Sequence, residues 1–306
     1  MISIFKAVTR NSTPTMTGLG LNDHHSSKAE LAESAQNGNS GAHRIDDRAL
    51  QSEKLGKLEE GCVKQARVRP VRIAAASAIL CPTDGLSYAA EQYRIVRTKI
   101  VQALHKPFRL VITSPGAGDG KTITALNMAA AMALKGEGRT LLIDGDLRGA
   151  RVHRLLEVPI SPGLAEVLEG TCRLEEAMFA VEQLPNLHVL PAGKPESNPT
   201  ELLDSSRWRA LAEKAQQLFA HVIVDSPPVE LVADFDLIAA VCDGVALVVR
   251  PDHTDRSLCL AAIQKLRPKL TGVLINAAPD WFLWKKSAYH SYYHYHQGHK
   301  KGEQGE

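Results

Sequence analysis

Cysteine is sparse in this 306-residue chain, and its five copies (Cys62, Cys81, Cys172, Cys242 and Cys259) never approach Cys-x-x-Cys spacing. That argues against a disulfide framework or a zinc ribbon and fits thiols kept reduced in a cytosol. Long hydrophobic runs are missing too. The longest apolar stretches, 129–134 and 237–242, stop well short of the roughly 18–20 residues that a membrane span needs. The opening residues 1–8 lack a basic stretch followed by a long apolar core, so no signal peptide is expected. Charge of one sign is absent: the net formal charge is +2, which gives no global field for nucleic acid. Between Phe5 and Tyr88 there is no aromatic residue, and residues 9 to about 70 are rich in Ser, Asn, Gly, Lys and Glu. Such a segment buries too little apolar surface to offset its ordering entropy. Residues 1–84 are therefore expected to form a largely disordered extension. Ile2, Ile4, Phe5 and Val8 leave room for a short apolar turn that docks on a partner, or for a frayed terminus.

Beyond residue 85 the pattern changes. Residues 86–104 have helical periodicity, with Tyr93, Val96, Ile100 and Leu104 on one stripe. Strand-like Val/Ile/Leu runs follow at 109–114, 140–145, 187–191, 221–226, 244–250 and 272–276. They alternate with helical segments at 122–135, 163–169, 174–182, 200–220 and 257–267. Continuous apolar strands separated by helices imply an α/β domain over 85–280 with a doubly wound, mostly parallel sheet and helices on both faces. A ligand is then expected at the carboxyl ends of the strands. From 281 to 306 the alternation stops, and the expected tail is flexible, with Tyr289, Tyr292, Tyr293, Tyr295 and four histidines.

The segment Ser114-Pro-Gly-Ala-Gly-Asp-Gly-Lys-Thr122 sits between the first strong strand and a helix. It has the features of a P-loop, although Pro115 takes the place of the usual first glycine. Glycines let the backbone turn its N–H groups onto an anion, and the helix start adds positive potential. Gly116, Ala117, Gly118, Asp119 and Gly120, with Lys121, Thr122 and Ile123, are the expected nucleotide-binding residues. Lys121 can reach the terminal phosphates, and the Thr122 hydroxyl can ligate Mg²⁺. Two further apolar strands end in aspartate, at Asp144-Gly-Asp146-Leu-Arg148 and at Asp225-Ser-Pro-Pro. Positions two apart on an extended chain face the same way, so Asp144, Asp146 and Arg148 can project together. Asp225 suits a metal holder, and Asp144 or Asp146 can accept a proton from an attacking hydroxyl. If that hydroxyl belongs to water the chain is an ATPase; if it belongs to a side chain, a kinase.

Several motifs in order make residues 85–296 resemble the bacterial tyrosine kinases (BY-kinases) of capsule and exopolysaccharide systems. They are the P-loop, Ile143-Asp-Gly-Asp-Leu-Arg148 with His153, and Val224-Asp-Ser-Pro-Pro228. The helix segment Glu91-Gln-Tyr-Arg94-Ile-Val-Arg97, the segments 190–193 and 198–203, and the tyrosine cluster complete the set. The resemblance implies a P-loop NTPase-like fold and an ATP- and Mg²⁺-dependent autokinase regulating polysaccharide synthesis or export. Lys121, Asp144, Asp146 and Asp225 would be catalytic, with Thr122, Asp144 and Asp225 around the metal and Arg148 facing phosphate or a carboxylate. Glu91, Arg94 and Arg97 would pack neighbouring copies into a ring, and Tyr289, Tyr292, Tyr293 and Tyr295 would accept phosphate in a neighbour's site. Ala117, Gly145 and the Gly149-Ala150 pair depart from the family's common loop residues.

The resemblance further implies a membrane activator or chain-length regulator, a tyrosine phosphatase and a cytoplasmic location at the inner face of the plasma membrane. Phosphates on the tail, beside Lys285 and Lys286, would be expected to loosen the ring. Two alternatives stay open at this level. One is a partitioning ATPase of the ParA/MinD type, although Gly116 stands where that class carries an extra lysine. The other is a catalytically silent, nucleotide-switched scaffold of the polysaccharide machinery.

Overall fold

The structure, a computed structural model, describes residues 5–6, 68–72, 87–195 and 197–277. The tail tyrosines and most of the N-terminal extension lie outside the described residues.

A nine-stranded sheet organises the domain in the order β1-β9-β8-β3-β7-β4-β6-β5-β2. Its strands are β1 (Phe5–Lys6), β2 (Arg69–Val71), β3 (Phe108–Thr113), β4 (Thr140–Asp144) and β5 (Phe179–Val181). The remaining four are β6 (Leu187–Leu190), β7 (His221–Asp225), β8 (Gly244–Val249) and β9 (Leu270–Ile275). From β9 through β6 every pairing is parallel. Antiparallel pairs occur only near the edges, where β1 joins β9 and β5 joins β6. This is the doubly wound α/β arrangement that alternating strands and helices predict.

Side chains of successive strand residues alternate between two cores. Leu110 and Ile112 of β3 face one core and Val111 the other; Leu142 of β4 opposes Leu141 and Ile143 in the same way. Helices α1 (Tyr88–Ala103), α2 (Lys121–Leu134) and α3 (Val152–Leu156) cover the first face. The second is covered by α4 (Leu164–Glu169), α5 (Leu174–Ala177), α6 (Pro199–Asp204), α7 (Ser206–Leu218), α8 (Asp234–Ala240) and α9 (Arg256–Leu266). The expected stripe on α1 packs inward, with Tyr93, Val96 and Ile100 buried and Leu104 half-buried against the same core.

Three local readings differ from the outcome. The helix expected over 174–182 ends at Ala177, and Phe179–Val181 is extended because it pairs with β6. The helix expected over 200–220 is two helices, broken at Ser205. That residue is extended, and its hydroxyl caps α7 by accepting from Trp208 N at 3.4 Å. Short strands at 5–6 and 69–71 lie within the stretch read as extension. Each pairs with a sheet edge, which no local pattern announces.

Candidate active site

The P-loop leaves β3, the strand flanked by β7 and β8, and enters α2. Gly118 and Gly120 both have positive φ, +86° and +93°. A Cβ on Gly120 would lie 2.0 Å from Asn276 Nδ2, and one on Gly118 2.9 Å from His253 Nε2, so neither position accepts a side chain. These contacts also show what holds the loop. Asn276, just past β9, donates to Asp119 O at 2.8 Å. The Thr254 hydroxyl, after β8, donates to Asp119 Oδ1 at 2.7 Å, and Gly116 N donates to Asp119 Oδ2 at 3.3 Å. His253 Nε2 lies 3.1 Å from Ala117 O; since a carbonyl only accepts, that nitrogen carries the hydrogen. Asp119 is 1% exposed, so its carboxylate braces the loop from behind, while its neighbours' backbone is left to face a ligand.

Sequence reasoning missed His253, Thr254 and Asn276, because they follow strands far along the chain and match no motif. Removing the Thr254 hydroxyl leaves a buried carboxylate oxygen short of a donor, a loss of about 1–3 kcal/mol. Thr254→Val is expected to weaken binding of a nucleoside triphosphate by about fivefold or more, checked by titration with a fluorescent analogue. Unchanged affinity would show that the loop keeps its shape without this brace.

Sheet register brings the acidic residues together. β4 and β7 are neighbours, and Asp144 stands directly opposite Asp225 at their carboxyl ends. Both are fully buried. Lys121, from the first turn of α2, places its ammonium 2.8 Å from Asp146 Oδ2 and 4.0 Å from Asp225 Oδ1. Burial alone would weaken that charge, but Asp225 and then Asp146 outweigh it and raise the Lys121 pKa, so the group stays cationic. The Asp144 carboxyl is pushed up to about 7, first by burial and then by Asp225. Its Oδ2 accepts from Val152 N at 3.0 Å and Arg151 N at 3.2 Å, which opposes the rise. Asp225 is also raised, by burial, with Lys121 opposing.

Arg148 takes the carboxylate option. It bonds Asp234 Oδ2 at 2.8 Å and Thr200 Oγ1 at 2.9 Å, and it reaches Asn198 Oδ1 at 3.4 Å. The segment 198–203 thus anchors this arginine, and Asn198 also caps α6. Lys121, Thr122, Asp146, Arg148, Pro228 and Leu231 line one cleft of about 440 Å³. Ile123 is 41% exposed at its edge. Glu91, Arg94 and Arg97 lie away from this cleft on α1. Glu91 and Arg94 pair with each other at 2.8 Å, and Arg97 donates to Ala131 O at 3.0 Å.

No family model matches the chain. The tyrosine-protein kinase YwqD of Bacillus subtilis (strain 168) is 34% identical over 223 residues, covering 71% of this chain and 90% of that protein. Among solved structures, the kinase domain of the Escherichia coli tyrosine kinase ETK superposes with a TM-score of 0.62 at 27% identity, covering 71% of this chain and 85% of that one. The chimerical protein CapA2B2 also superposes with a TM-score of 0.62, at 28% identity, covering 72% of this chain and 99% of that chain.

Proposed function

We propose, from the premise that this chain belongs to the bacterial tyrosine-protein kinase family, that it uses ATP to phosphorylate its own tail tyrosines and so regulates capsule or exopolysaccharide production. Membership makes the enzyme a protein-tyrosine kinase and leaves the ParA/MinD-type ATPase as a distant relation only. The observation that supports the site assignment best is the Asp144–Asp225 register beside the Lys121 ammonium.

The residues fit a Mg²⁺ ion. Asp144 Oδ1 and both Asp225 carboxylate oxygens are buried without a hydrogen-bond partner, close to the P-loop. Among the described residues no three His, Cys, Asp or Glu side chains cluster into a cage. That suits a cation held by one or two carboxylates, the Thr122 hydroxyl, water and phosphate. When bound, it neutralises charge developing on the phosphates. The P-loop amides of 116–123 and Lys121 hold the nucleotide. Asp225 serves chiefly the metal, and Asp146 positions Lys121. Asp144 takes the proton of the attacking tyrosine hydroxyl while the γ-phosphoryl group moves to the tyrosine oxygen and ADP leaves. A carboxylate whose pKa is raised toward neutrality is a better base for that step.

Tyr289, Tyr292, Tyr293 and Tyr295 are the proposed acceptors, presented by a neighbouring copy in a ring to which Glu91, Arg94 and Arg97 contribute. A membrane activator recruits the enzyme to the inner face of the membrane, and a tyrosine phosphatase reverses the modification. Among the described residues no helix is long and apolar enough to cross a membrane.

Transfer between copies is tested by mixing a Lys121→Met chain with a chain whose four tail tyrosines are Phe. With ATP and Mg²⁺, phosphotyrosine is expected on the tail of the Lys121→Met chain. A mixture that stays unmodified, while the wild-type chain labels itself, would mean that transfer happens within one copy.

A further inference from the structure

A second cleft, of about 420 Å³, opens on the far side of the Asp146 turn. Arg148, Arg151, His153, Arg154 and Lys194 line it, and no acidic side chain among the described residues does. It adjoins the catalytic cleft, since Arg148, Gly149 and Arg151 line both. Arg148 already has Asp234 as its counter-ion. Arg151, Arg154 and Lys194 form no ion pair or side-chain hydrogen bond among the described residues. His153 Nδ1 is buried without a partner, and Arg154 is near enough that, after burial, its charge helps to depress the histidine pKa.

Glu166 comes close to this cleft but turns its carboxylate to neutral donors rather than to the cations. Glu166 accepts from Ser161 Oγ and Lys194 N through Oε1 and from Gly163 N through Oε2. The backbone that carries these exposed basic side chains is fixed. Val152 and Leu156 bury one side of α3 in the core, and its first N–H groups are bonded to Asp144. Lys194 follows β6, beside β4 in the sheet. Like charges gathered in a concave site, three of them with no ion-pair partner among the described residues, form an anion site.

We propose that this cleft binds phosphotyrosine on the tail of a neighbouring copy that has already been phosphorylated once, and holds that tail while another tyrosine enters the catalytic cleft. The inference rests on the tail-autokinase reading above. The tail's own chemistry selects it as the occupant. Its four tyrosines lie within 289–295, so one can be held while another is presented. From residue 281 to residue 302 it has Lys285, Lys286, Lys300, Lys301 and four histidines, and no Asp or Glu. Before phosphorylation, a basic tail meets a basic cleft and is repelled. Each phosphate then adds about −1.5 to −2 charge and three acceptor oxygens, which suit arginine's forked donors. The cleft therefore discriminates between the two forms, and the first phosphate on a tail speeds the next.

Binding of synthetic peptides covering residues 285–299 tests this on the full-length protein without ATP. The peptide carrying phosphate on Tyr292 is expected to bind at least about tenfold tighter than the unmodified one, the scale of one or more charge-assisted bidentate contacts. In the Arg154→Gln/Lys194→Gln variant that preference falls to about twofold or less, with ATP affinity unchanged as the check on folding. Equal binding of the two peptides, or a preference that survives in the variant, overturns the proposal. Inorganic phosphate should displace the phosphopeptide only in large excess; displacement at equal concentration would mean that a free anion, not the tail, is the ligand. Because the peptides are synthetic, this result is independent of catalysis. A wild-type chain that makes no tail phosphotyrosine with ATP and Mg²⁺ would overturn the kinase reading instead.

Discussion

Lys121→Met is expected to abolish phosphorylation of the tail, with a loss of about 10²–10³-fold or more in rate. Methionine has nearly the length and flexibility of lysine, so the change removes charge with little change in volume. That charge sits 2.8 Å from Asp146 and 4.0 Å from Asp225, with Asp144 in the same buried group. Without it, Asp144, Asp146 and Asp225 confront the phosphates with no cation of the described residues within ion-pair distance of them. The loss should appear both as weaker nucleotide binding and as slower transfer, because Lys121 acts on the ground state and on the charge that develops. Mass spectrometry of residues 285–306 after incubation with ATP and Mg²⁺ reads the outcome. Tail phosphate at the wild-type level in this variant would remove the P-loop from the reaction.

Asp144→Asn separates chemistry from stability. The variant loses the proton acceptor and one metal-facing oxygen, and a fall of about 10²–10⁴ in transfer rate is expected. The same change should stabilise the ligand-free protein, increasingly so as pH rises from about 4 through 7. The folded Asp144 carboxyl titrates at about 7, above its ordinary value near 4. Its contribution to stability is thus fully present below the unfolded value and is lost as pH rises through the folded one. Asparagine keeps an oxygen for the Arg151 and Val152 amides and carries no charge for Asp225 to repel. The gain should be on the order of 1–2 kcal/mol at pH 8, less than the full shift because the two aspartates share their titration. That corresponds to a few degrees in melting temperature for a domain of this size. At pH 5 the gain should be well under half as large, and it vanishes only below about pH 4. Thermal denaturation of both proteins at the two pH values, with EDTA and no nucleotide, measures it. A gain equal at both pH values would mean that Asp144 carries its charge in the fold without penalty.

Much of this site was legible before any coordinates. The P-loop announces itself, because only a glycine-rich strand-to-helix turn can aim so many amides at one anion. Asp144 and Asp225 stood out because each closes an apolar strand. Arg148 suits a phosphate or a carboxylate on sequence grounds, and the carboxylate it meets, Asp234, sits in α8, a helix without a sequence signal of its own. Thr254 and Asn276 were invisible for the same reason: a lone threonine or asparagine after a strand is ordinary loop chemistry until the fold places Asp119 beside it. Glu91 and Arg94 make the weak pair expected of an i, i+3 spacing, and a ring interface remains a proposal that their neighbours in the chain do not decide.

By itself the sequence determined the elements and their class. Apolar alternation, β-branched runs and glycine turns act over a few residues, where sterics and local burial dominate. That is enough to specify an α/β chain with a phosphate loop. Only the tertiary structure decided which strands are neighbours. The β4–β7 ladder sets Asp144 against Asp225, and the ends of β8 and β9 brace the loop that leaves β3. Hydrogen bonds between strands distant in the chain choose these partners, and no local pattern encodes that choice. The basic cleft has the same origin, since Arg151 before α3 and Arg154 on it share a cleft with Lys194 only because β4 and β6 lie side by side.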